Sequence, residues 1–182
     1  MSWKNTPDGY GWPSRLLHWL IVLLFIAAYA SVELHEIFPR GSRLRGWMMS
    51  GHFLAGLSIL VLVWPRLVAR LSGTAPQVSP APAHWQQHLA RLVQLMLYGL
   101  MIAQPLLGWL MLNADDRSLS LLGVTLPNLI PPKPYMVERL EELHELLGNF
   151  GYLLIGGHAA AALLHHHLLR DNTLRLMLPR RD

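Results

Sequence analysis

Seven histidines stand where an imidazole can do chemistry. His18, His52, His144 and His158 lie singly in long apolar runs or their first turns, and His165, His166 and His167 sit together near the end of the last run. Asp and Glu are absent from the runs. An ionisable side chain inside such a run is expensive and marks a functional site by default. A proton relay would be expected to use buried carboxylates, whereas neutral imidazole is a natural axial ligand for haem iron.

Spacing narrows the arrangement. His144 and His158 are fourteen residues apart; on one helix they return to nearly the same face and differ in depth by about 21 Å. His18 begins the first run on the side of the N-terminus, and His52 begins the second run on the opposite side. Matching depths pairs His52 with His144 and His18 with His158, as two bis-imidazole irons stacked across a bilayer. His165, seven residues past His158 on a similar face, is an alternative partner for His18. Small residues favour His158, which Gly156, Gly157 and Ala159 to Ala162 flank. Gly51, Ala55 and Gly56 surround His52, and Gly148 and Gly151 follow His144, leaving room for something bulky. A lone histidine in a span is more often a bond between helices; four at paired depths beside small neighbours point further. The cluster at 165–167 also reads as a solvated helix end favoured by the helix dipole. His35, His84 and His88 read as exposed loop or helix-start residues.

Other chemistries find little support. The chain has no cysteine, which removes disulfides, iron–sulfur clusters, thiolate zinc and covalently attached haem. Zinc prefers four ligands close together, and the string after His144 is Glu145-Leu146-Leu147-Gly148, with no second histidine at helical spacing. No glycine-rich phosphate cradle is present.

The elements that must carry these histidines follow from composition. Of 182 residues, 52% are hydrophobic and 14% charged, with a mean hydropathy of +0.29. Four apolar runs, Leu16–Val32, Trp47–Trp64, Leu92–Leu112 and Leu146–Leu169, contain 17, 18, 21 and 24 residues. A hydrocarbon core of about 30 Å takes roughly 17–25 helical residues. Soluble helices set a charged face against the apolar one, and these runs do not. The expectation is a single all-α domain over 1–182, an integral membrane four-helix bundle running up-down-up-down, with helices near 14–34, 47–70, 88–112 and 140–169. Pro105 should kink the third helix. The segment 75–82, with three prolines, reads as an extended tether. The twelve apolar residues from Leu119 to Ile130 are too short to span and should lie at the interface or over the mouth of the bundle.

Charge sets the expected orientation. The formal charge of +4 is carried by loops beside the runs, which fits membrane topology better than nucleic acid. Lys4, Arg15, Arg66, Arg70, Arg91, Arg170, Arg175, Arg180 and Arg181 fall on the side of the termini; Arg40, Arg43, Arg45, Arg117, Lys133 and Arg139 fall on the other. Nine against six places both termini in the cytoplasm. Ala28-Tyr29-Ala30 before Ser31 imitates a leader cleavage site, but the run continues to Val32, so the segment is retained as a span.

Several stretches resemble the bacterial cytochrome b561 family: Ser14-Arg15-Leu16-Leu17-His18-Trp19-Leu20, Phe38-Pro39-Arg40, Gly51-His52, and above all His144 through Asn149-Phe150-Gly151-Tyr152 and Gly157-His158 to Asp171-Asn172-Thr173. The likeness is strongest to its small four-helix superoxide:ubiquinone oxidoreductases and covers nearly the whole chain. It implies a di-haem b bundle of the bacterial inner membrane, with His18, His52, His144 and His158 as iron ligands. It further implies electron transfer from a small outer-face donor, superoxide in the closest relatives, to ubiquinone. Arg40, Arg43 and Arg45, before the second helix, would steer an anionic donor or anchor the interface, and His165 and His166 would supply protons to a quinone. The alternatives are a cytochrome b membrane anchor of a larger dehydrogenase or hydrogenase, and a haem-free histidine-based metal or proton transporter.

Overall fold

In hydrocarbon a backbone N–H or C=O has no water to bond, so long apolar runs must satisfy their peptides internally as helices. The computed structural model, which describes residues 2–121 and 123–178, shows this for all four runs. They form α1 (Trp12–His35), α2 (Arg43–Leu71), α3 (His84–Ala114) and α4 (Pro134–His167), each long and apolar enough to cross a bilayer. A two-stranded antiparallel hairpin, β1 (Ser120–Leu121) with β2 (Val124–Thr125), and a short α5 (Thr173–Met177) complete the described elements. Arg180 and Arg181 of the charge tally, and Leu122 of the short apolar piece, lie outside the described residues.

The helices overrun their expected bounds mainly at polar ends. A helix of 34 residues is about 51 Å long, so α4 exceeds any hydrocarbon layer, and its first turns, with Glu138, Arg139, Glu141 and Glu142, suit water. Pro134 fits the first helical position, where its missing N–H has no intrahelical role. At the other end α4 stops at His167, two residues before the expected 169. The Leu168 and Leu169 amides both fall on the Leu164 carbonyl, and Arg170 turns left-handed at φ 53°. Pro65 and Pro105 lie inside α2 and α3, which continue through them. The Ala28-Tyr29-Ala30 tripeptide lies within α1, with Ala28 buried and the Ser31 hydroxyl donating to carbonyls of the preceding turn.

Large apolar side chains face outward on every helix. Leu23, Val68, Leu95 and Leu153 are 62%, 68%, 69% and 73% exposed. A water-soluble monomer rarely presents so much contiguous apolar surface, whereas lipid covers it at no cost.

The chain forms two compact units. The first is Met1–Ile21, Leu62–Gly99 and Gly151–Asp182, the second Val22–Val61 and Leu100–Phe150. Each long helix contributes one segment to each unit.

In the first unit Ile21, Val63 and Leu154 form the buried apolar contacts, and the N-terminal segment hooks onto the end of α2. Asn5, 4% exposed, donates from Nδ2 to the Ala69 carbonyl at 2.8 Å and from its backbone to Ser72 at 3.1 Å. Its Oδ1 accepts from the Gly11 amide and the Ser14 hydroxyl, both at 2.9 Å. One side chain thus satisfies a carbonyl that the end of α2 would leave orphaned. The hook passes close enough that a Cβ on Gly11 or Gly73 would meet backbone oxygens of Trp3 or Asn5. The expected tether at 75–82 has no regular secondary structure, but it is pinned: Gln77 donates to Pro7, and Asn172 bonds both Ser79 and Gln77.

In the second unit Ile59, Leu100, Met101 and Leu112 are buried, and the connection after α3 folds around Asn113, which is 1% exposed. Asn113 bonds Asn128, Arg117 and the Leu129 amide. Within the apolar piece Leu119 is buried, whereas Val124 in β2 is 62% exposed. The hairpin was not expected from the sequence. Its two-residue strands, joined through Gly123 at φ 81°, are too short for any alternating pattern to register.

Candidate functional site

The first unit brings His18 of α1 and His158 of α4 to a ring-centroid separation of 6.4 Å. The second unit brings His52 of α2 and His144 of α4 to 6.1 Å. These are the pairs expected from depth. His165 is engaged elsewhere: its Nδ1 lies 2.6 Å from the Asp171 carboxylate. His35, expected to be exposed, instead ends α1 half-buried with Nε2 3.0 Å from the Glu36 carboxylate, whereas His84 and His88 are exposed at the start of α3.

The surroundings set the tautomers. Nδ1 of His52 lies 3.0 Å from the Ala28 carbonyl, which only accepts, so Nδ1 carries the proton and Nε2 keeps its lone pair. At His18 the neighbour is Nη2 of Arg66, 2.9 Å from Nδ1. A guanidinium only donates, so here Nδ1 accepts and the proton sits on Nε2.

Small residues on α3 and α4 shape the second site. A Cβ on Gly108 would stand 3.2 Å from Cε1 of His144, so the missing side chain is what lets that ring lie against α3. Gly148 does the same for Gln104, whose Nε2 donates to the His144 carbonyl at 2.8 Å. The space beside Gly148 is therefore filled by protein. Around Gly51, Gly56, Gly156 and Gly157 no atom approaches within 4 Å of where a Cβ would stand. His144 Nδ1, Trp109 Nε1 and Gln104 Oε1 are buried without a hydrogen-bond partner, an uncommon state for polar atoms in a finished core.

This geometry fits a metal between two imidazoles. Imidazole nitrogens bind first-row metals at about 2 Å, and the ring centre lies roughly 1.1 Å further, so two axial rings stand about 6 Å apart. Among the described residues no three His, Cys, Asp or Glu side chains converge on one point. A haem, which brings its own ring nitrogens, would ask the protein for two more ligands, the number of imidazoles in each pair.

The remaining candidates fall into two groups. Arg43 and Arg45 lie in the first turn of α2 rather than before it: Arg45 is spent internally, donating to the carbonyls of His35 and Phe38 and to Glu36, while Arg43, and Arg40 ahead of the helix, are exposed. Near the end of α4, burial alone would raise the Asp171 carboxyl, but bonds from His165 and Thr173 outweigh it and hold the group below its usual range. His166 has its Nδ1 buried and without a partner. Sequence reasoning missed Asn5, Arg66, Gln104 and Asp171. Arg66 alone carried a signal, as a charge close behind an apolar run.

Comparison with known proteins gives the family. The pattern described as prokaryotic cytochrome b561 matches residues 9–180. Cytochrome b561 homolog 1 of Escherichia coli K12 is 38% identical over 165 residues, which is 91% of this chain and 94% of that protein. A probable superoxide oxidase, CybB, of Yersinia pestis is 37% identical over 165 residues, covering 91% and 93%. Cytochrome b561 homolog 2 of Escherichia coli K12 is 28% identical over 182 residues, covering 98% and 95%. With four spanning helices, paired imidazoles and a match running nearly end to end, the chain belongs to the prokaryotic cytochrome b561 family.

Proposed function

We propose that this membrane oxidoreductase holds two haem b groups, one between His18 and His158 and one between His52 and His144, and passes electrons from superoxide at the outer face to ubiquinone. The observation that carries the reading is the pair of imidazole separations, 6.4 and 6.1 Å, each matched to one bis-histidine iron. Haem b, when bound, supplies one-electron chemistry between ferric and ferrous iron. The relative named as a probable superoxide oxidase supports the donor. The nine-to-six distribution of basic residues supports an inner-membrane orientation with both termini in the cytoplasm.

The chain's own groups have distinct parts in this scheme. The Ala28 carbonyl fixes the His52 ring, and Gln104 ties α3 to α4 at His144. Arg40 and Arg43 attract an anionic donor, whereas Arg45 holds the connection in shape. Reducing a quinone by two electrons consumes two protons, and His165, backed by Asp171, and His166 are the candidates to deliver them.

The test uses the purified protein in liposomes containing ubiquinone and a superoxide source outside. Superoxide-dependent quinol formation is expected, with a rate that falls as salt rises and that loses this salt dependence in Arg40→Gln/Arg43→Gln. Haem-loaded protein that reduces quinone only when a second subunit is added contradicts the assignment. Replacing His165 and His166 by Gln should slow quinol formation at high pH; an unchanged pH profile removes them as proton donors.

A further inference from the structure

Arg66 is a half-buried charge that the proposed reaction leaves unused. It stands near the end of α2, its Nε is buried without a hydrogen-bond partner, and Nη2 lies 2.9 Å from Nδ1 of His18. Its guanidinium carbon lies 5.9 Å from the centre of the Tyr98 ring. Arg70, one turn on, is held by Gln94 at 2.6 Å. Both arginines line a small opening with Tyr10, Ser14, Tyr98 and Met177. None of the ion pairs among the described residues involves either arginine. Two guanidinium groups in an apolar segment without a carboxylate are costly unless an anion arrives.

The present partner of Arg66 is also one it must lose. While Arg66 donates to Nδ1, His18 carries its proton on Nε2 and has no lone pair there for a metal. His52 has the opposite and ready tautomer, set by the Ala28 carbonyl. Were Nε2 of His18 to hold a metal, the ring's proton would reside on Nδ1, where a donor-only guanidinium finds no acceptor. The freed fork, with its unbonded Nε, suits bidentate pairing with a carboxylate.

We infer that Arg66 is the counter-ion of a carboxylate borne by the group that His18 and His158 hold. The inference rests on the haem reading above. The carboxylate is the macrocycle's own propionate; a separate anion, such as an acidic lipid headgroup, is the other source of the same chemistry.

A double-mutant cycle distinguishes them. In a His144→Ala background, which retains only the first-unit haem, the rate of haem loss to excess apomyoglobin is measured with native haem and with its dimethyl ester, for Arg66 and for Arg66→Gln. Losing the pair should speed the loss of native haem about tenfold to a hundredfold. Esterification should do the same in the Arg66 protein and add little in Arg66→Gln. Arg66→Lys keeps the charge but not the fork, and should fall between the two; it serves if the Gln variant does not fold. Effects that multiply independently place the carboxylate on a separate anion and overturn the inference. Native haem lost at the same rate from all three proteins also overturns it. A preparation that binds no haem overturns the haem reading itself, and the inference with it.

Discussion

Two hydrogen bonds of opposite sense distinguish the histidine pairs. The Ala28 carbonyl presets His52 for ligation, while Arg66 holds His18 in the other tautomer. Steric fit matters as much at His144, where a methyl group on Gly108 would press on the ring at 3.2 Å. Gly108→Ala should displace the ring, cost roughly 1–3 kcal/mol, and reduce haem content at the second-unit pair alone, as read by haem per chain and by the remaining spectrum. Asp171, 6% exposed, makes a separate prediction. Its carboxyl binds a proton more weakly in the folded chain than the ordinary value of 3.8. Its contribution is therefore complete above that value and lost as pH falls through the lower folded value. Thermal unfolding in detergent should show the parent more stable than Asp171→Asn by roughly 1–3 kcal/mol at pH 6, converging with it in strong acid. The histidine pairs were legible because helical periodicity alone sets their faces and depths. The preference for His158 over His165 was read from small neighbours, but the partner that engages His165 was not, because Asp171 lies beyond the helix end and is brought back by the left-handed Arg170.

Helix ends carry most of what local sequence left unread. The four helices were visible as apolar runs, but polar first turns such as Pro134 to Glu142 look like loop when only apolar length is counted. The N-terminal hook is a contact between segments some 64 residues apart, which no local pattern encodes. Asn5→Ala should leave the Gly11 amide unpaired, while the Ala69 carbonyl keeps the Ser72 and Ser14 hydroxyls, and cost roughly 1–3 kcal/mol. Gly73→Ala, strained at φ 109° and set against the Asn5 backbone, should produce a similar loss. Both are measured as lowered midpoints of thermal unfolding in detergent, with the optical spectrum at low temperature unchanged.

For the molecule as a whole, the bilayer replaces much of the work of a hydrophobic core. Fewer than one in five residues of each spanning window are buried within the protein, so lipid must cover the rest. The number of helices and their apolar middles were legible for this reason, since each crossing needs its own run of about membrane thickness. A charge on the lipid face is the matching test: Leu153→Arg, at a position 73% exposed, should cost roughly 2.5–3.5 kcal/mol of insertion and shift chain from the carbonate-resistant membrane fraction to the soluble one. The central claim is that two imidazole couples each hold one iron. Its most direct measurement is haem b per chain, by pyridine haemochrome and a reduced-minus-oxidised spectrum, on the parent, His144→Ala, His158→Ala and His165→Ala. The account predicts about two haems for the parent and for His165→Ala, and about one each, with different residual spectra, for His144→Ala and His158→Ala. A colourless parent, or full haem content in either single-ligand variant, would contradict it.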